Sequence, residues 1–303
     1  MKTIILAGGY ATRLQPITID RPKPLLPVAG IPIIDHILAR GPFPGQPVVS
    51  TNRRFLSQFE RWRDASAWDV DLVAEETVSE DEKLGTIGAI AYLIEKLGID
   101  EDILVVGGDN IFGFESDELL SAYKGRPLIA LFDLKDVEKV RHRFGVAVVK
   151  DGRIAYFQEK PAQPDSTLAS TACYVFPKEI LPLFGQFSKV AKKGKDAPGY
   201  FNEWLVEEKG QDIDPFIFDT SWYDIGDRAS YIEANQHYGD CDTWRGEGVV
   251  IEDSTVSGSV ILDNTRIYGS SISGCVIDSG CKLVGANLTN CLVGEKSWIR
   301  QMV

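Results

Sequence analysis

The residues best suited to chemistry begin directly after the first apolar run. Residues 6–27 read LAGGYATRLQPITIDRPKPLLP. Gly8 and Gly9 lack a Cβ, so the backbone there can approach a ligand closely. Arg13 and Lys23 add permanent positive charge on a loop stiffened by Pro16, Pro22, Pro24 and Pro27. Permanent donors on a rigid loop beside open backbone N–H groups suit a triphosphate. The string is neither the dinucleotide fingerprint G-x-G-x-x-G nor a P-loop, because no G-K-[ST] follows. Further along, Asp109 ends the apolar run VVGGDN at 105–110. A carboxylate at the end of a buried strand needs a cation to offset its desolvation, which makes Asp109 a natural Mg²⁺ ligand. Glu159 and Lys160 lie in FQEKP at 157–161, and Asp224 in WYDIGD at 222–227.

The elements that must position these groups follow from periodicity. Apolar runs at 2–7, 48–51, 70–74, 103–106 and 128–132 read as strands, and 32–40, 54–64 and 85–97 as helices. In the last of these, Ile87, Ile90, Ala91 and Ile94 recur at helical spacing. Shorter strands are expected at 146–149, 154–157, 172–176 and 217–219, with helices at 201–208 and 227–238. Strand–helix alternation predicts a mixed, mostly parallel, Rossmann-like α/β sheet with helices on both faces.

The texture changes after Asp242. Val250, Val256, Ile261, Ile267, Ile272, Ile277, Leu283, Leu288, Val293 and Ile299 recur at intervals of five or six. Neither a flat strand nor a helix has that period. A left-handed β-helix of hexapeptide type does, with about 16–17 residues per coil and roughly three coils. The expected division is a catalytic domain over 1–240 and a β-helix domain over 246–303. Open coil ends need covering, so the β-helix is expected to serve assembly into a homo-oligomer, with Trp298 either capping the coil or in that interface.

Composition narrows the classes. The 303 residues are 44% hydrophobic and 25% charged, which fits a globular protein. A formal net charge of −12 argues against sequence-independent nucleic-acid binding. Residues 1–30 run the other way, with Lys2, Arg13, Arg21 and Lys23 against Asp20. A small basic pocket in an acidic protein suits one phosphorylated ligand. No apolar run approaches membrane-spanning length and no signal peptide is evident, so a cytoplasmic protein without membrane association is expected. The five cysteines are odd in number and lack Cys-x-x-Cys, which reads as reduced, packed thiols. The three histidines lie near no cysteine pair at ligand spacing, which argues against zinc.

The whole string Gly8-Gly9-Tyr10-Ala11-Thr12-Arg13-Leu14, with Pro22-Lys23-Pro24-Leu25-Leu26-Pro27-Val28, resembles the signature of the sugar-1-phosphate nucleotidylyltransferases. It departs from that signature at Ala11, where the family usually has glycine. Leu84-Gly85-Thr86-Ile87-Gly88-Ala89 resembles the family's L-G-T-A-G-A, Phe157–Pro161 its F-x-E-K-P, and Trp222–Asp227 its W-x-D-I-G-T. The resemblance implies nucleotide contacts from Leu6, Ala7, Gly8 and Gly9, and from Gly85, Thr86 and Gly88. A base-reading side chain is expected at Glu75 or Glu76, with Glu76 taken as the candidate. Glu159 would accept hydrogen bonds from sugar hydroxyls, Lys160 would hold the sugar phosphate, and the Gly145 backbone would touch the sugar. Asp109 and Asp224 would hold Mg²⁺. Asp227 stands where the family has threonine and can still cap the next helix.

The implied reaction is attack of a sugar 1-phosphate oxygen on the α-phosphate of an NTP, with loss of pyrophosphate. No protein nucleophile is needed, in keeping with the lack of a plausible Ser-His or Cys-His arrangement. Arg13 would steady the departing pyrophosphate and Lys23 the phosphates near the reacting centre. Glucose 1-phosphate with dTTP or UTP is the favoured pair, and mannose 1-phosphate with GTP the other. Two rival classes are a non-catalytic regulatory or scaffolding relative, which retention of these charged residues opposes, and a β-helix acyltransferase. The acyltransferase reading is opposed by the absence of any histidine in residues 241–303.

Overall fold

The computed structural model describes residues 1–190 and 198–301. Its contacts gather the chain into two units: Met1–Gly9 with Ile37–Trp222, and Tyr10–His36 with Tyr223–Val303. This grouping follows contacts rather than composition, for the proline-stiffened loop falls in with the C-terminal coils.

The first unit is built on a mixed sheet. Strands run in the order 153–159, 145–150, 168–176, 103–107, 2–6, 48–52, 71–75, and strand Leu128–Asp133 joins Asp214–Phe218 to Leu168–Phe176. Strands 103–107, 2–6, 48–52 and 71–75 are parallel neighbours, whereas 168–176 pairs antiparallel with 103–107 and 128–133. Parallel strands buried on both faces need continuous apolar runs, and strand Ile103–Gly107 is buried at every position. Helix Gly85–Leu97 buries Ile87, Ile90 and Leu93; Ala91 and Ile94 pack partly buried at the margin of the same cluster. Helices Leu181–Val190 and Pro198–Glu207 add an aromatic layer in which Phe184 stacks on Phe201 at 4.4 Å. Leu181–Val190 and Ser116–Ala122 were not expected as helices. In the first, Pro182 and Gly185 interrupt the apolar pattern; proline is tolerated there because the first turn's N–H groups have no intrahelical partner.

In the second unit, strands pair in parallel with a constant offset. Val250 faces Arg266, Arg266 faces Lys282, and Lys282 faces Trp298; the same spacing relates Thr255, Ser271 and Asn287. Three such sheets make a coil of 16 residues, consistent with the expected left-handed β-helix. Ile261, Ile267, Ile272, Ile277, Leu283 and Val293 form its core. Each such side chain contributes roughly 1.5–3 kcal/mol on burial. One position differs from expectation: Ile251, not Val250, packs against that core. Val250 belongs to the outward column with Arg266, Lys282 and Trp298, because successive strand residues face opposite ways. Trp298 is accordingly 70% exposed. Helix Arg228–Gly239 begins on an Asp227 cap whose side chain accepts from the Ser230 N–H, as expected for Asp227.

Candidate active site

The carboxyl ends of the central parallel strands gather the first group of expected residues. The Ala7 N–H bonds the Ser50 carbonyl at 2.7 Å and the Gly108 N–H bonds the Leu6 carbonyl at 2.8 Å, so pairing persists to the last residues of strand Lys2–Leu6. Beyond it the chain is held by Asn52, whose Nδ2 donates to the Gly8 carbonyl at 3.1 Å. Gly8 lies directly over Glu75, and a Cβ there would come within 2.9 Å of Glu75 Oε1. Gly9 faces open space.

Glu75 ends strand Asp71–Glu75, is buried, and accepts a hydrogen bond from Ser50 Oγ at 3.1 Å. Desolvation raises its pKa, with the Ser50 bond opposing. The next side chain must point the other way. Of the two candidates, Glu76 is exposed and pairs with Arg53 at 2.6 Å, while Glu75 is the one that meets Gly8. Helix Gly85–Leu97 opens with Gly85 at φ 72°, a left-handed conformation glycine adopts freely. Thr86 follows it, and Gly88 is pressed against the preceding Leu84, which would lie 3.2 Å from a Cβ.

Asp109 sits half-buried in the turn after strand Ile103–Gly107. It is oriented by a relay absent from the sequence reading. Trp222 Nε1 donates to Asn110 Oδ1 at 2.7 Å, which turns the Asn110 amide nitrogen toward Asp109 Oδ1, also at 2.7 Å. Trp222 and Asn110 thus fix the orientation of one carboxylate oxygen of Asp109.

Glu159 and Lys160 diverge. The Glu159 side chain is 5% exposed, while that of Lys160 is 56% exposed and 3.8 Å away. A positive φ of 47° at Lys160 produces this turn. Gly145 is the cross-strand partner of Glu159, and a Cβ there would meet Glu159 Oε2 at 2.8 Å. Gly199 of helix Pro198–Glu207 approaches the same oxygen, and a Cβ there would overlap it at 1.8 Å. The carboxylate therefore occupies room that two glycines leave for it. Burial raises its pKa, Lys160 opposes, and Glu203 adds to the rise. No hydrogen bond among the described residues reaches it. One turn beyond Gly199, Asn202 is fully buried, and neither atom of its side-chain amide has a partner among the described residues. Gly199 and Asn202 carry no motif; their only sequence signal is a glycine and an amide inside an otherwise apolar helix.

In the second unit, Arg13 lies on the 3₁₀ turn Thr12–Leu14 and Lys23 opens the turn Lys23–Leu25. Ala11 precedes the first turn at φ 50°, ψ 43°, in the left-handed region. Its carbonyl accepts from Leu14 N at 3.0 Å and from Thr18 Oγ1 at 2.8 Å, which hold it there. That is backbone which glycine adopts without the strain a Cβ brings. Arg13 and Asp224 converge: a point one Cβ from Gly226 is 3.3 Å from Arg13 Nη2 and 3.7 Å from Asp224 Oδ2.

Among the described residues no three acidic, histidine or cysteine groups form a self-sufficient metal site. Asp109 and Asp224 each carry hard carboxylate oxygens of the kind Mg²⁺ takes, a cation usually held by one or two carboxylates with phosphate and water completing the shell. All five cysteines are free. Burial pushes the Cys173 thiol far above its usual range. No helix of the described residues is long and apolar enough to cross a membrane.

The chain is 29% identical over 271 residues to the bifunctional protein GlmU of Methanocaldococcus jannaschii, covering 88% of this chain and 61% of that protein. It is 27% identical to a mannose-1-phosphate guanylyltransferase of Mycobacterium tuberculosis, covering 77% of this chain and 63% of that one. Identity is also 27% with a glucose-1-phosphate thymidylyltransferase of Streptomyces griseus, over 89% of this chain and 76% of the relative. The chain thus spans about three-fifths of the first two relatives. The fold matches that of a candidate glucose-1-phosphate thymidylyltransferase from Bacillus anthracis solved with sucrose, with TM-score 0.66 and 24% identity over 79% of this chain and 96% of that one. Residues 2–240 match the nucleotidyl transferase family model, and the chain belongs to that family.

Proposed function

We propose that the protein transfers a nucleoside monophosphate from an NTP to a sugar 1-phosphate, releasing pyrophosphate. The observation that carries this reading is Glu159: a carboxylate in the room left by Gly145 and Gly199, without a hydrogen bond among the described residues, beside the exposed Lys160. Buried acceptors are expected to be paired, and sugar hydroxyls would pair this one while Lys160 takes the phosphate. Asn202 has polar capacity to spare in the adjoining turn.

In this reading the attacking phosphate oxygen approaches the α-phosphorus in line and pyrophosphate departs opposite. The chain's work is positioning and charge stabilisation. Arg13 neutralises the departing pyrophosphate, Lys23 the phosphates near the reacting centre, and Lys160 delivers the nucleophile. The backbone of Leu6, Ala7, Gly8 and Gly9, with Gly85, Thr86 and Gly88, binds the nucleotide. Mg²⁺ held by Asp109 and Asp224 would supply Lewis-acid stabilisation of the phosphates. We assign catalysis to 1–240 and a β-helix domain to 246–303, whose outward Trp298 favours homo-oligomer assembly.

Glucose 1-phosphate with dTTP or UTP remains the pair indicated by motif. A specific observation favours GTP as second reading: Glu75, beside Gly8, is a carboxylate, and guanine presents two adjacent N–H donors that a carboxylate accepts together. Pyrophosphate release across five NTPs and four sugar 1-phosphates, with Mg²⁺, tests all of this. One productive pair names the substrates, and Glu75→Gln should weaken GTP far more than dTTP if guanine is read there. Silence across the grid with NTP binding intact would leave the regulatory-subunit reading.

A further inference from the structure

We propose that the β-helix is a platform for the loop carrying Arg13 and Lys23, and that Asp278 is its positioning residue. This rests on the reading that Arg13 and Lys23 act on phosphates. Helix Arg228–Gly239 anchors the distal part of the loop: Tyr231 Oη donates to the Pro27 carbonyl at 2.5 Å, and Ala29 N to Asn235 Oδ1 at 3.0 Å. The middle of the loop is held by the coils. Arg21 Nη1 meets Asp278 Oδ1 at 3.3 Å, and Pro16 lies so close to Gly294 that a Cβ there would be 3.2 Å from the proline ring.

The 16-residue period shows what is unusual about these contacts. Gly246, Leu262, Asp278 and Gly294 occupy one column, and the N–H groups of Leu262 and Asp278 bond the next coil at 2.9 Å each. Leucine and glycine build the coil at that position as well as aspartate does, so the coil itself has no need of a carboxylate. Yet the Asp278 side chain is 3% exposed. A buried charge is costly unless paired; Asp278 pairs with Arg21 at 3.3 Å, accepts from the Ser279 N–H at 2.7 Å and also feels the charge of Lys296 on the following coil. Glu295, on the following coil, also feels Arg21. Two members of the column thus face the loop, one by charge and one by absence of a side chain. The contact fixes the segment between Arg13 and Lys23.

The test uses the full chain with Asp278→Asn, Asp278→Leu (the residue its column already accepts at 262), Arg21→Gln, Arg21→Lys and the double variant Asp278→Asn/Arg21→Gln. Loss of loop position should lower kcat about ten- to a hundredfold, with the KM for sugar 1-phosphate unchanged. The double variant should fall no further than either single one, and Arg21→Lys should retain part of the rate. Independently of turnover, amide exchange across 10–28 should accelerate in Asp278→Asn while the coil amides keep their protection. Wild-type kcat and unchanged exchange in folded Asp278→Asn and Asp278→Leu would overturn the proposal. Were the wild-type chain inactive with every substrate pair, the phosphate reading would fail on its own, and exchange would still decide whether Asp278 holds the loop.

Discussion

Replacing Gly199 by alanine probes the room that the Glu159 carboxylate occupies. The new Cβ would lie 1.8 Å from Glu159 Oε2, 2.9 Å from its Cδ and 3.3 Å from Phe157 Cε1. Ordinary packing requires the carboxylate to retreat by roughly 1.5 Å. The carboxylate already fills the room that Gly145 leaves, since an ideal Cβ there would be 2.8 Å from Oε2. Misplacement of a positioning group by about 1 Å costs on the order of 10²-fold, close to 2.7 kcal/mol in the transition state. Two effects on stability oppose each other. Alanine in a helix gains roughly 0.5–1 kcal/mol over glycine, while overpacking costs about 1–3 kcal/mol. The fold should therefore survive with a modestly lower Tm. Pyrophosphate release against varied sugar 1-phosphate should show kcat/KM down about a hundredfold, with NTP affinity unaltered. Gly185→Ala is the control, because a Cβ there meets nothing within 4 Å. A folded Gly199→Ala enzyme with wild-type kcat/KM for the sugar phosphate would refute the role given to Glu159.

Three other outcomes are expected. Ala11→Gly should stabilise the protein by about 1 kcal/mol, because it removes a left-handed alanine; a lower Tm by calorimetry would count against strain at that site. Glu159→Gln should flatten one component of stability against pH. Burial raises the Glu159 pKa, so its contribution is fully present below the unfolded value near 4.5 and is lost as pH rises through the folded value. The variant should therefore gain stability over wild type above that range while losing activity, and denaturation at pH 4 and pH 8 distinguishes this from a uniform shift. Trp298→Glu should weaken self-association measured by sedimentation, since this outward side chain is 70% exposed; an unchanged assembly state would remove the coil face from the interface.

Most of the architecture was legible in sequence because its signals are local. The apolar run of strand Ile103–Gly107 and the helical spacing of Gly85–Leu97 both appear within about a residue of their expected bounds. The β-helix period was equally plain, yet the choice between Val250 and Ile251 was not. Both are apolar and adjacent, and only pairing with Ile267 settles which faces inward. The same two-residue alternation separates Glu75 from Glu76. Composition marks both as members of an acidic stretch, and only the strand register turns Glu75 toward Gly8 and Glu76 toward Arg53.

Residues expected to touch substrate lie in recognisable strings, because such contacts restrict neighbours within one loop. The residues that hold them come from elsewhere in the chain. Asn110 orients Asp109 with help from Trp222, and Gly199 makes room for Glu159 from a separate helix. Asp278 is different in one respect. Once a coil of 16 residues is recognised, a carboxylate in a column otherwise made of glycine and leucine is a visible break in the repeat. A repeat specifies what each position needs for its own stability. A departure toward a costly buried charge therefore directs attention outside the repeat, where Arg21 meets Asp278 in addition to the Ser279 N–H of the coil itself. The broken period points to the loop contact before any distance is known.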